Sequence, residues 1–404
     1  MNRIIMGNTK GTIGILTGGG DVPGLNPAIR AITIRALQEG FKVTGIRKGW
    51  AGLVNMTRDR NPENADNFTE LSEEIVNKAG RTGGTFLHTS HNNPLKVKKV
   101  DVPSHLAGKY KEDINDLTDE IIKNLDYLKI DFLIVIGGDD TLSYAVHLHE
   151  KGVKVIAIPK TMDNDVPGTD YCIGFSTCIT RTIQMANLVR TSAGSHERLV
   201  VMEVFGRYAG FTAMLPTIAG VATRCVIPEH VFNIEHLTQL MIEDRLKNPS
   251  HYSIALVSEG AAYEGRIKPE TLTDEMCSPL AYLTIGDEIA AKVKELAPKY
   301  NNGKTLNVIS QELGYMVRGG EPDTLDSIVP IAYGNLALDL VIKGIHGRMV
   351  VLKNGNYGNT PIDVITSKRK RLDVKRFYDI EKLCPKYKSF EYQSLLIITG
   401  DNSI

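Results

Sequence analysis

The sequence predicts an α/β fold whose sheets are mainly parallel, and three observations carry that prediction. Five apolar residues, 132–136, run directly into two glycines and then into a helical pattern. A strand without polar alternation is typical of a parallel sheet that is covered on both faces. Strands and helices alternate along the whole chain. Glycine-rich polar loops recur where strands end, which is the edge where open parallel sheets bind ligands.

Length and composition indicate a globular protein with two domains. The chain has 404 residues, of which 42% are hydrophobic and 23% charged, and its formal net charge is zero. These values give no reason to expect a nucleic acid or a membrane as partner. We expect no signal peptide and no apolar run of about 18 residues, the length of a membrane span. The five cysteines show no metal-binding spacing, so we expect reduced thiols and a cytoplasmic protein.

The first third of the chain contains two predicted strands that are followed by glycines or by a basic loop. Residues 12–17 form a strand, Gly18 to Asp21 a turn, and residues 25–36 a helix that Gly40 ends. Residues 41–46 form the next strand, and we expect Trp50 in the loop after it. A surface excursion is predicted at 57–78, a glycine-rich turn with a short strand at 81–94, and an amphipathic helix at 113–128. Three glycines at a strand end allow backbone amides to approach a phosphate closely.

Two loops in the middle of the chain are dense in functional groups. Gly137 and Gly138 lead into Asp139, Asp140 and a helix at 142–149, an arrangement that suits phosphate and a metal ion. An ordinary turn with an aspartate as helix cap remains the alternative for this loop. After a strand at 153–158, the sequence PKTMDND (159–165) places a lysine, a threonine and three further polar residues within six positions. A chemical role for this second loop is favoured over a plain turn.

The second half of the chain repeats the pattern of strand, polar loop and helix. We predict helices at 176–190, up to about 220, 234–246 and 328–343, and strands at 199–204, 253–257, 304–313 and 348–352. Polar residues follow three of these strands, at Phe205-Gly206-Arg207, at Glu259 and at Tyr315 to Arg318. The basic run SKRKR (367–371) lacks interleaved aromatic residues, so a solvated face or a subunit contact is favoured over nucleic acid.

Seven motifs together closely resemble the phosphofructokinase family. They are TGGGDVPGLNPAIR, GGTFLHTS, GGDDT, PKTMDND, MEVFGRYAG, SEGA and GYMVRGG, in this order between about residues 12 and 355. The resemblance implies two similar three-layer α/β domains with the active site in the cleft between them. It places a donor domain at 1–172, rejoined by about 321–355, a fructose 6-phosphate domain at 173–320, and a C-terminal extension at 356–404. The implied reaction is phosphorylation of fructose 6-phosphate at its 1-hydroxyl, a step of glycolysis and gluconeogenesis.

Two positions indicate the phosphoryl donor. ATP-using members of the family typically read GGDGS and PGTxDND, whereas this chain carries Asp140 and Lys160 in place of the two glycines. This pair resembles the pyrophosphate-dependent subgroup. An aspartate facing a nucleotide phosphate at about 4 Å would cost about 4 kcal/mol at an effective dielectric near 20. Pyrophosphate lacks the third phosphate and the nucleoside, and Lys160 can neutralise its oxygens.

The resemblance implies a role for each polar residue of these motifs. Asp163 is the general base, and Asp139 is the ligand of Mg²⁺. Asp165 supports the loop that carries Asp163 or the metal site. The implied donor-binding residues are Gly20, Gly138, His91, Asp140 and Lys160. The implied residues for fructose 6-phosphate are Thr161, Met162, Asp163, Phe205, Gly206, Arg207, Glu259, Tyr315 and Arg318, together with Arg198 from a neighbouring subunit. The implied assembly is therefore a homodimer or homotetramer.

Some residues depart from the family pattern, and alternatives remain open. His91 replaces an arginine of the donor site, Tyr315 replaces a histidine, and Ile309 replaces a second arginine that crosses between subunits. An ATP-dependent 6-phosphofructokinase is the first alternative. A lipid or NAD kinase with a related GGD turn would lack the PKTMDND and GYMVRGG loops. A non-catalytic regulatory subunit would be expected to lose the base, which is present here as Asp163.

Overall fold

Two parallel sheets organise the computed structural model, which describes residues 9–80, 82–266, 284–387 and 391. The start of the chain, Arg81 and Cys277 lie outside the described residues. In chain order the strands are β1 (Thr12–Thr17), β2 (Lys42–Ile46), β3 (Phe68–Glu70), β4 (Val97–Lys98), β5 (Ile114–Asn115), β6 (Phe132–Gly137), β7 (Val155–Pro159), β8 (Leu199–Val204), β9 (Arg224–Val226), β10 (Val231–Phe232), β11 (Ser253–Ser258), β12 (Ala262–Tyr263), β13 (Val308–Glu312), β14 (Arg348–Lys353), β15 (Asn356–Pro361), β16 (Tyr378–Asp379) and β17 (Cys384–Pro385).

Helices connect most of these strands. In chain order they are α1 (Leu25–Gln38), α2 (Trp50–Asn55), α3 (Glu73–Ala79), α4 (Thr118–Tyr127), α5 (Asp139–Glu150), α6 (Phe175–Ser195), α7 (Phe211–Ile218), α8 (Ile234–Lys247), α9 (Ile285–Tyr300), α10 (Tyr315–Arg318), α11 (Thr324–Ile342) and α12 (Val374–Phe377). Short 3₁₀ helices lie at Pro62–Asp66, Pro94–Lys96, Lys99–Asp101 and Ile362–Thr366.

The first sheet has seven strands in the order β15-β14-β7-β6-β1-β2-β3. Its five inner strands are parallel, and an antiparallel strand closes each edge. Successive residues of β6 point to opposite faces, so Ile134 and Ile136 join one apolar cluster while Leu133 and Val135 join the other. Burial on both faces confirms the prediction made from the continuous apolar run. The register aligns Thr17 with Ile136 and Gly137 with Pro159, so the loops after these strands begin at the same level.

The second sheet contains four parallel strands in the order β13-β8-β11-β9. Val204 pairs with Ser258, and Glu203 pairs with Glu312, so these three strands also end together. Its apolar residues belong to the cluster that covers one face of the first sheet. The α/β fold with mainly parallel sheets is confirmed, while the domain boundaries proposed at residues 172 and 320 remain predictions.

The chain returns to the first sheet near its end and then leaves it again. β14 pairs with β7, and β15 forms the edge, so the segment predicted as an extension begins with a sheet strand. Residues 362–387, here called the C-terminal strap, then run from α5 to β9 and α7 beside the second sheet. Tyr378 Oη donates to the carbonyl of Cys225 at 2.6 Å, which fixes the far end of the strap.

Three local expectations need correction. Trp50 begins α2 and is buried edge-on against Tyr144, with ring centroids 4.8 Å apart, so it lies in a core and not in a loop. Residues 57–78 contain β3, α3 and a 3₁₀ helix and are not a plain excursion. The described part of 81–94 contains no strand.

Helix α11 is long and apolar enough, by length and composition, to cross a membrane, which the sequence inspection did not anticipate. In the structure it packs against α1 and α6, and half of its most apolar stretch is buried. It also carries the fully buried carboxylate of Asp326 near its start. The core helix of a globular protein has the same composition, and the packing of α11 is of that kind.

Candidate active site

The loops at the carboxyl ends of both sheets enclose a cavity of about 410 Å³. Because parallel strands in register end at one edge, residues far apart in sequence meet there. Of the residues predicted from sequence, those lining the cavity are Gly20, His91, Gly138, Asp139, Asp140, Lys160, Thr161, Met162, Asp163, Asp165, Phe205, Arg207, Glu259 and Arg318.

The glycine loop after β1 is held from two sides. Gly18 N–H donates to the carbonyl of Ile136, and Gly19 N–H donates to that of Ser90 at 2.9 Å. Gly19 has a φ of 76°, a conformation that favours glycine. A Cβ on Gly20 would lie 1.9 Å from Nη2 of Arg318, so the approach of that arginine already excludes a side chain.

Lys160 is buried beneath the glycine loop. Its side chain is 4% exposed, and its Nζ donates to the carbonyl of Gly20 at 2.6 Å. Burial, and then the positive charge of Arg318, lower the pKa of Lys160 to about 8. Lys160 is therefore not a surface lysine. The ammonium group lies between the loops of β1, β6 and β7, where an anionic donor would enter.

Asp139 and Asp140 begin α5 and differ in their surroundings. Asp140 is exposed at the cavity. Oδ2 of Asp139 accepts a hydrogen bond from Nε of Arg369 at 2.9 Å, and Nη2 of Arg369 forms an ion-pair contact with the same oxygen at 2.8 Å. The predicted metal ligand thus forms an ion pair with a residue of the C-terminal strap.

Two further carboxylates lie on the loop after β7. Asp165 is buried, and burial, followed by the charges of Asp163 and Asp139, raises its pKa. Burial and the charge of Glu259 raise the pKa of Asp163 above the usual range of a carboxyl group. Asp163 N–H donates to Oγ1 of Thr161 at 3.2 Å, which ties the two predicted acceptor-site residues together.

The loop after β8 forms the opposite wall. The backbone N–H of Arg207 donates to Oδ2 of Asp163 at 3.3 Å across the cleft, and the Arg207 Nε lies 3.8 Å from Glu259. Gly206 stands beside the cavity with a φ of 121°, and a Cβ there would lie 2.7 Å from the carbonyl of Ala209. This loop therefore needs glycine to bring Phe205 and Arg207 to the cleft.

Arg318 joins the two halves of the site. It extends from α10 and donates to the backbone carbonyl of Asp21 through Nε and Nη2, at 3.3 and 3.2 Å. Its guanidinium carbon lies 5.7 Å from the ring centroid of Phe205. The cation predicted to bind the 6-phosphate is thus held at the cleft.

Besides Gly206, three positions named from the sequence lie outside the cavity lining. Tyr315 is 81% exposed, although its ring lies 5.4 Å from the guanidinium carbon of Arg318. Arg198 precedes β8, at the end of the strand remote from the cleft, and its Nε is buried without a hydrogen-bond partner in the described structure. Ile309 pairs with Val200 near that same remote end. None of the three completes the cavity of its own chain.

Several lining residues were missed by sequence reasoning. They are Gly19, Val22, Asn92, Asn93, Thr141, Tyr208 and Arg369. The expectation of a solvated face or subunit contact is wrong for two residues of the basic run, because Arg369 lines the cavity and Lys370 is 4% exposed. No local pattern could have placed them, since their partners lie about 200 residues earlier in the chain.

Among the described residues, no group of three or more His, Cys, Asp or Glu side chains could hold a metal ion by itself. Magnesium is usually held by one or two carboxylates together with substrate phosphates. Asp139 and Asp165 face the same end of the cavity, and their mutual repulsion contributes to the raised pKa of Asp165. This donor set fits a divalent cation that a bound phosphate helps to coordinate.

Comparison with known proteins gives one consistent family. The phosphofructokinase family model matches residues 12–341. The ATP-dependent 6-phosphofructokinase 2 of Clostridium perfringens is 33% identical over 364 residues, which are 89% of this chain and 93% of that protein. The pyrophosphate--fructose 6-phosphate 1-phosphotransferase of Dictyoglomus thermophilum is 34% identical over 378 residues, 93% of this chain and 98% of that protein. These two relatives thus carry different donors in their names.

Solved structures agree on the fold. The pyrophosphate-dependent phosphofructokinase of Marinobacter aquaeolei is similar with a TM-score of 0.72 and 17% identity, over 96% of this chain and 92% of that chain. The phosphofructokinase of Saccharomyces cerevisiae is similar with a TM-score of 0.68 and 22% identity over 88% of this chain. The present chain spans only 45% of the yeast chain.

Proposed function

The chain belongs to the phosphofructokinase family, and on that premise we propose that it phosphorylates the 1-hydroxyl of fructose 6-phosphate with inorganic pyrophosphate as donor. The products are fructose 1,6-bisphosphate and orthophosphate, and the reaction is reversible. The observation that carries the choice of donor is the pair formed by Asp140 and Lys160. One is an exposed carboxylate on the cavity wall, and the other is a buried ammonium beneath the glycine loop.

The charges of this pair favour a small anionic donor over a nucleotide. A nucleotide phosphate about 4 Å from Asp140 would be repelled by about 4 kcal/mol at an effective dielectric near 20. That energy corresponds to about a thousandfold in affinity. Pyrophosphate is short enough to keep its two phosphates beside Lys160, Gly20 and the amides of Gly138 and His91. The buried position of Lys160 strengthens its attraction for phosphate, because little water screens it.

The acceptor sugar would lie between Asp163 and the second sheet. Arg318 would bind its 6-phosphate, with the exposed Tyr315 beside that guanidinium, while Glu259 and the loop of Phe205, Gly206 and Arg207 would contact its hydroxyls. Thr161 and Met162 would line the side nearest the 1-hydroxyl. Support comes from the contact of Asp163 with the Arg207 amide, since it brings the proposed base and the sugar wall together.

Transfer then consists mainly of positioning and charge stabilisation. The 1-oxygen of the sugar forms a bond to one phosphorus as the bridging P–O bond of pyrophosphate breaks, and orthophosphate leaves. Asp163 accepts the proton of the hydroxyl late in this step. Its raised pKa makes it a better proton acceptor than an ordinary aspartate, while leaving it largely ionised near neutral pH.

Magnesium is the proposed cofactor, and Asp139, supported by Asp165, would hold it with the donor's oxygens. When bound, the ion neutralises charge on the phosphates. We further propose a cytoplasmic homodimer or homotetramer. The remote position and unpartnered Nε of Arg198 support its role at a neighbouring active site.

ATP is the competing donor, and the Clostridium perfringens relative gives a specific reason to test it. The experiment measures kcat/KM of the wild-type enzyme with Mg²⁺, fructose 6-phosphate and either pyrophosphate or ATP. We expect at least a hundredfold preference for pyrophosphate. In the double variant Asp140→Gly with Lys160→Gly, pyrophosphate use should fall and ATP use should rise. Rapid turnover of the wild type with ATP and none with pyrophosphate would overturn the proposal.

A further inference from the structure

The basic run of the C-terminal strap is placed inside the cleft by contacts on both sides of Arg369. The Lys370 backbone N–H donates to the carbonyl of Asp165 at 3.1 Å, and its Nζ donates to the carbonyl of Thr169 at 2.7 Å. Two residues later, Leu372 N–H donates to Oε1 of Glu229 at 2.9 Å. The backbone next to Arg369 is therefore fixed to the loop after β7, which carries Asp165, and to the loop after β9, which carries Glu229.

The guanidinium group of Arg369 is itself well oriented. Its carbon lies 3.8 Å from the ring centroid of Tyr208, which is the spacing of a stacked cation and ring. Its hydrogen bond from Nε and its ion-pair contact from Nη2 both go to the single oxygen Oδ2 of Asp139. About a third of the side chain, 36%, remains accessible where it lines the cavity. An arginine needed only to fix two segments would be expected to use both carboxylate oxygens in a forked pair.

The cavity needs a further cation at its donor end. Asp139, Asp140 and Asp165 lie there, and the cations nearest the glycine loop among the described lining residues are Lys160, which donates to the carbonyl of Gly20, and Arg318, which donates to that of Asp21. His91 stands where the family pattern has an arginine. A highly charged anion such as pyrophosphate would therefore meet three carboxylates and only these two cations without Arg369.

We propose that Arg369 is a donor-binding and specificity-determining residue, which exchanges Asp139 Oδ2 for phosphate oxygens when pyrophosphate binds. The planar guanidinium suits two oxygens of one phosphate better than an ammonium group does. Stacking on Tyr208 keeps the group oriented during the exchange. This proposal rests on the proposed function, because it assigns Arg369 to the same pyrophosphate site.

The test compares Arg369→Gln with Lys368→Gln in steady-state kinetics and calorimetry. Lys368 belongs to the same basic run but is exposed and outside the cavity, so it matches the change in net charge. We expect Arg369→Gln to raise the KM for pyrophosphate about 10- to 100-fold, the range for losing a charged hydrogen bond. The KM for fructose 6-phosphate should change less than twofold, and Lys368→Gln should match the wild type.

Two further measurements keep the outcome decisive. Imidodiphosphate, an analogue that resists cleavage, should bind Arg369→Gln more weakly by the same factor, and Arg369→Lys should recover only part of the loss. A purely structural role would instead lower the melting temperature and shift both KM values together, which would overturn the proposal. If the wild type uses pyrophosphate but Arg369→Gln keeps its KM, only the inference fails. If the wild type rejects pyrophosphate altogether, the proposed function fails first.

Discussion

At the scale of single residues, Lys160 shows how burial changes the chemistry of a side chain. Its ammonium group has lost most of its water and is bonded to the carbonyl of Gly20. Burial therefore lowers its pKa to about 8, so the group is charged at neutral pH but close to losing its proton. A residue that attracts the donor by charge should make the enzyme sensitive to mild alkali.

We expect kcat/KM for pyrophosphate to fall as the pH rises through about 8. Below that pH Lys160 carries its charge in the free enzyme, and above it the charge is lost; kcat/KM reports the free enzyme. The measurement is a pH profile of the wild type and of Lys160→Arg, whose guanidinium does not titrate in this range. Ionisation of the donor affects both proteins equally. Identical alkaline limbs in the two profiles would contradict the role of Lys160.

Sequence reasoning reached most residues of the site, for a physical reason. Gly20, Asp139, Asp163 and Glu259 all lie shortly after the end of a strand, so the parallel sheets already bring them to one edge. Arg369 follows the antiparallel edge strand β15 only after a 3₁₀ helix, and it is brought to the cavity by contacts of neighbouring strap residues such as Lys370. Such a placement depends on tertiary contacts, which no local pattern encodes.

At the scale of elements, α6 and α11 are joined by a buried carboxylate. Asp326 accepts from Tyr171 Oη and Gly174 N–H through Oδ1, and from Thr177 N–H and Oγ1 through Oδ2, at 2.6 to 2.8 Å. Backbone amides at the start of α6 are thus satisfied by an anion, which the helix dipole also favours. Burial nevertheless raises the pKa of Asp326 to about 6.

Replacing Asp326 by Asn should lower the free energy of unfolding by about 2–4 kcal/mol. The amide NH₂ of asparagine would face donors at one of the two oxygen positions, leaving buried groups unpaired. Asp339→Asn is the matched control, because that residue lies on the same helix, 43% exposed, in an ion pair with Arg35. It should cost less than about 1 kcal/mol. Equal urea midpoints for the two variants would show that the buried hydrogen bonds of Asp326 contribute no more to the free energy of unfolding than an exposed ion pair does.

Most helices and strands were predictable from sequence, but their ends were not. β1 matches the prediction, while α6 runs five residues beyond it and α5 begins three residues before it. The early start of α5 has a physical cause, because the carboxylates of Asp139 and Asp140 interact favourably with the positive, N-terminal end of the helix dipole. The prediction of a plain surface excursion around α3 was wrong because the helix and strand there are short and their sequence patterns are weakly apolar.

At the scale of the whole molecule, the C-terminal strap completes the core of the second half. Leu372, Phe377, Tyr378 and Leu383 are buried in the same apolar cluster as the strands of the second sheet. The length and composition of the chain predicted two domains, but nothing in them indicated that the last described segment would cross from one sheet to the other. The strap thereby links the position of Arg369 to the packing of a distant core.

We expect Phe377→Ala to lower the free energy of unfolding by about 3–5 kcal/mol, as for a core phenylalanine. Phe377 is 3% exposed, whereas Ile380, three residues later, is 45% exposed. Ile380→Ala is therefore the control and should cost less than about 1 kcal/mol. Urea unfolding followed by fluorescence and by loss of activity measures both. If Phe377→Ala were as stable as the control, the strap would be a dispensable surface layer.

The route of the strap also sets the order of events during protein synthesis. The cavity takes its first contributor from the glycine loop at Gly19 and its last from Arg369, so it draws on nearly the full span of the chain. A ribosome releases the amino-terminal part first, and that part can begin to fold early. A nascent chain stalled before residue 369 would lack this side chain and the rest of the strap, so the wall that Arg369 supplies would be missing. Synthesis must therefore reach the strap before all the described lining residues of the cavity are present.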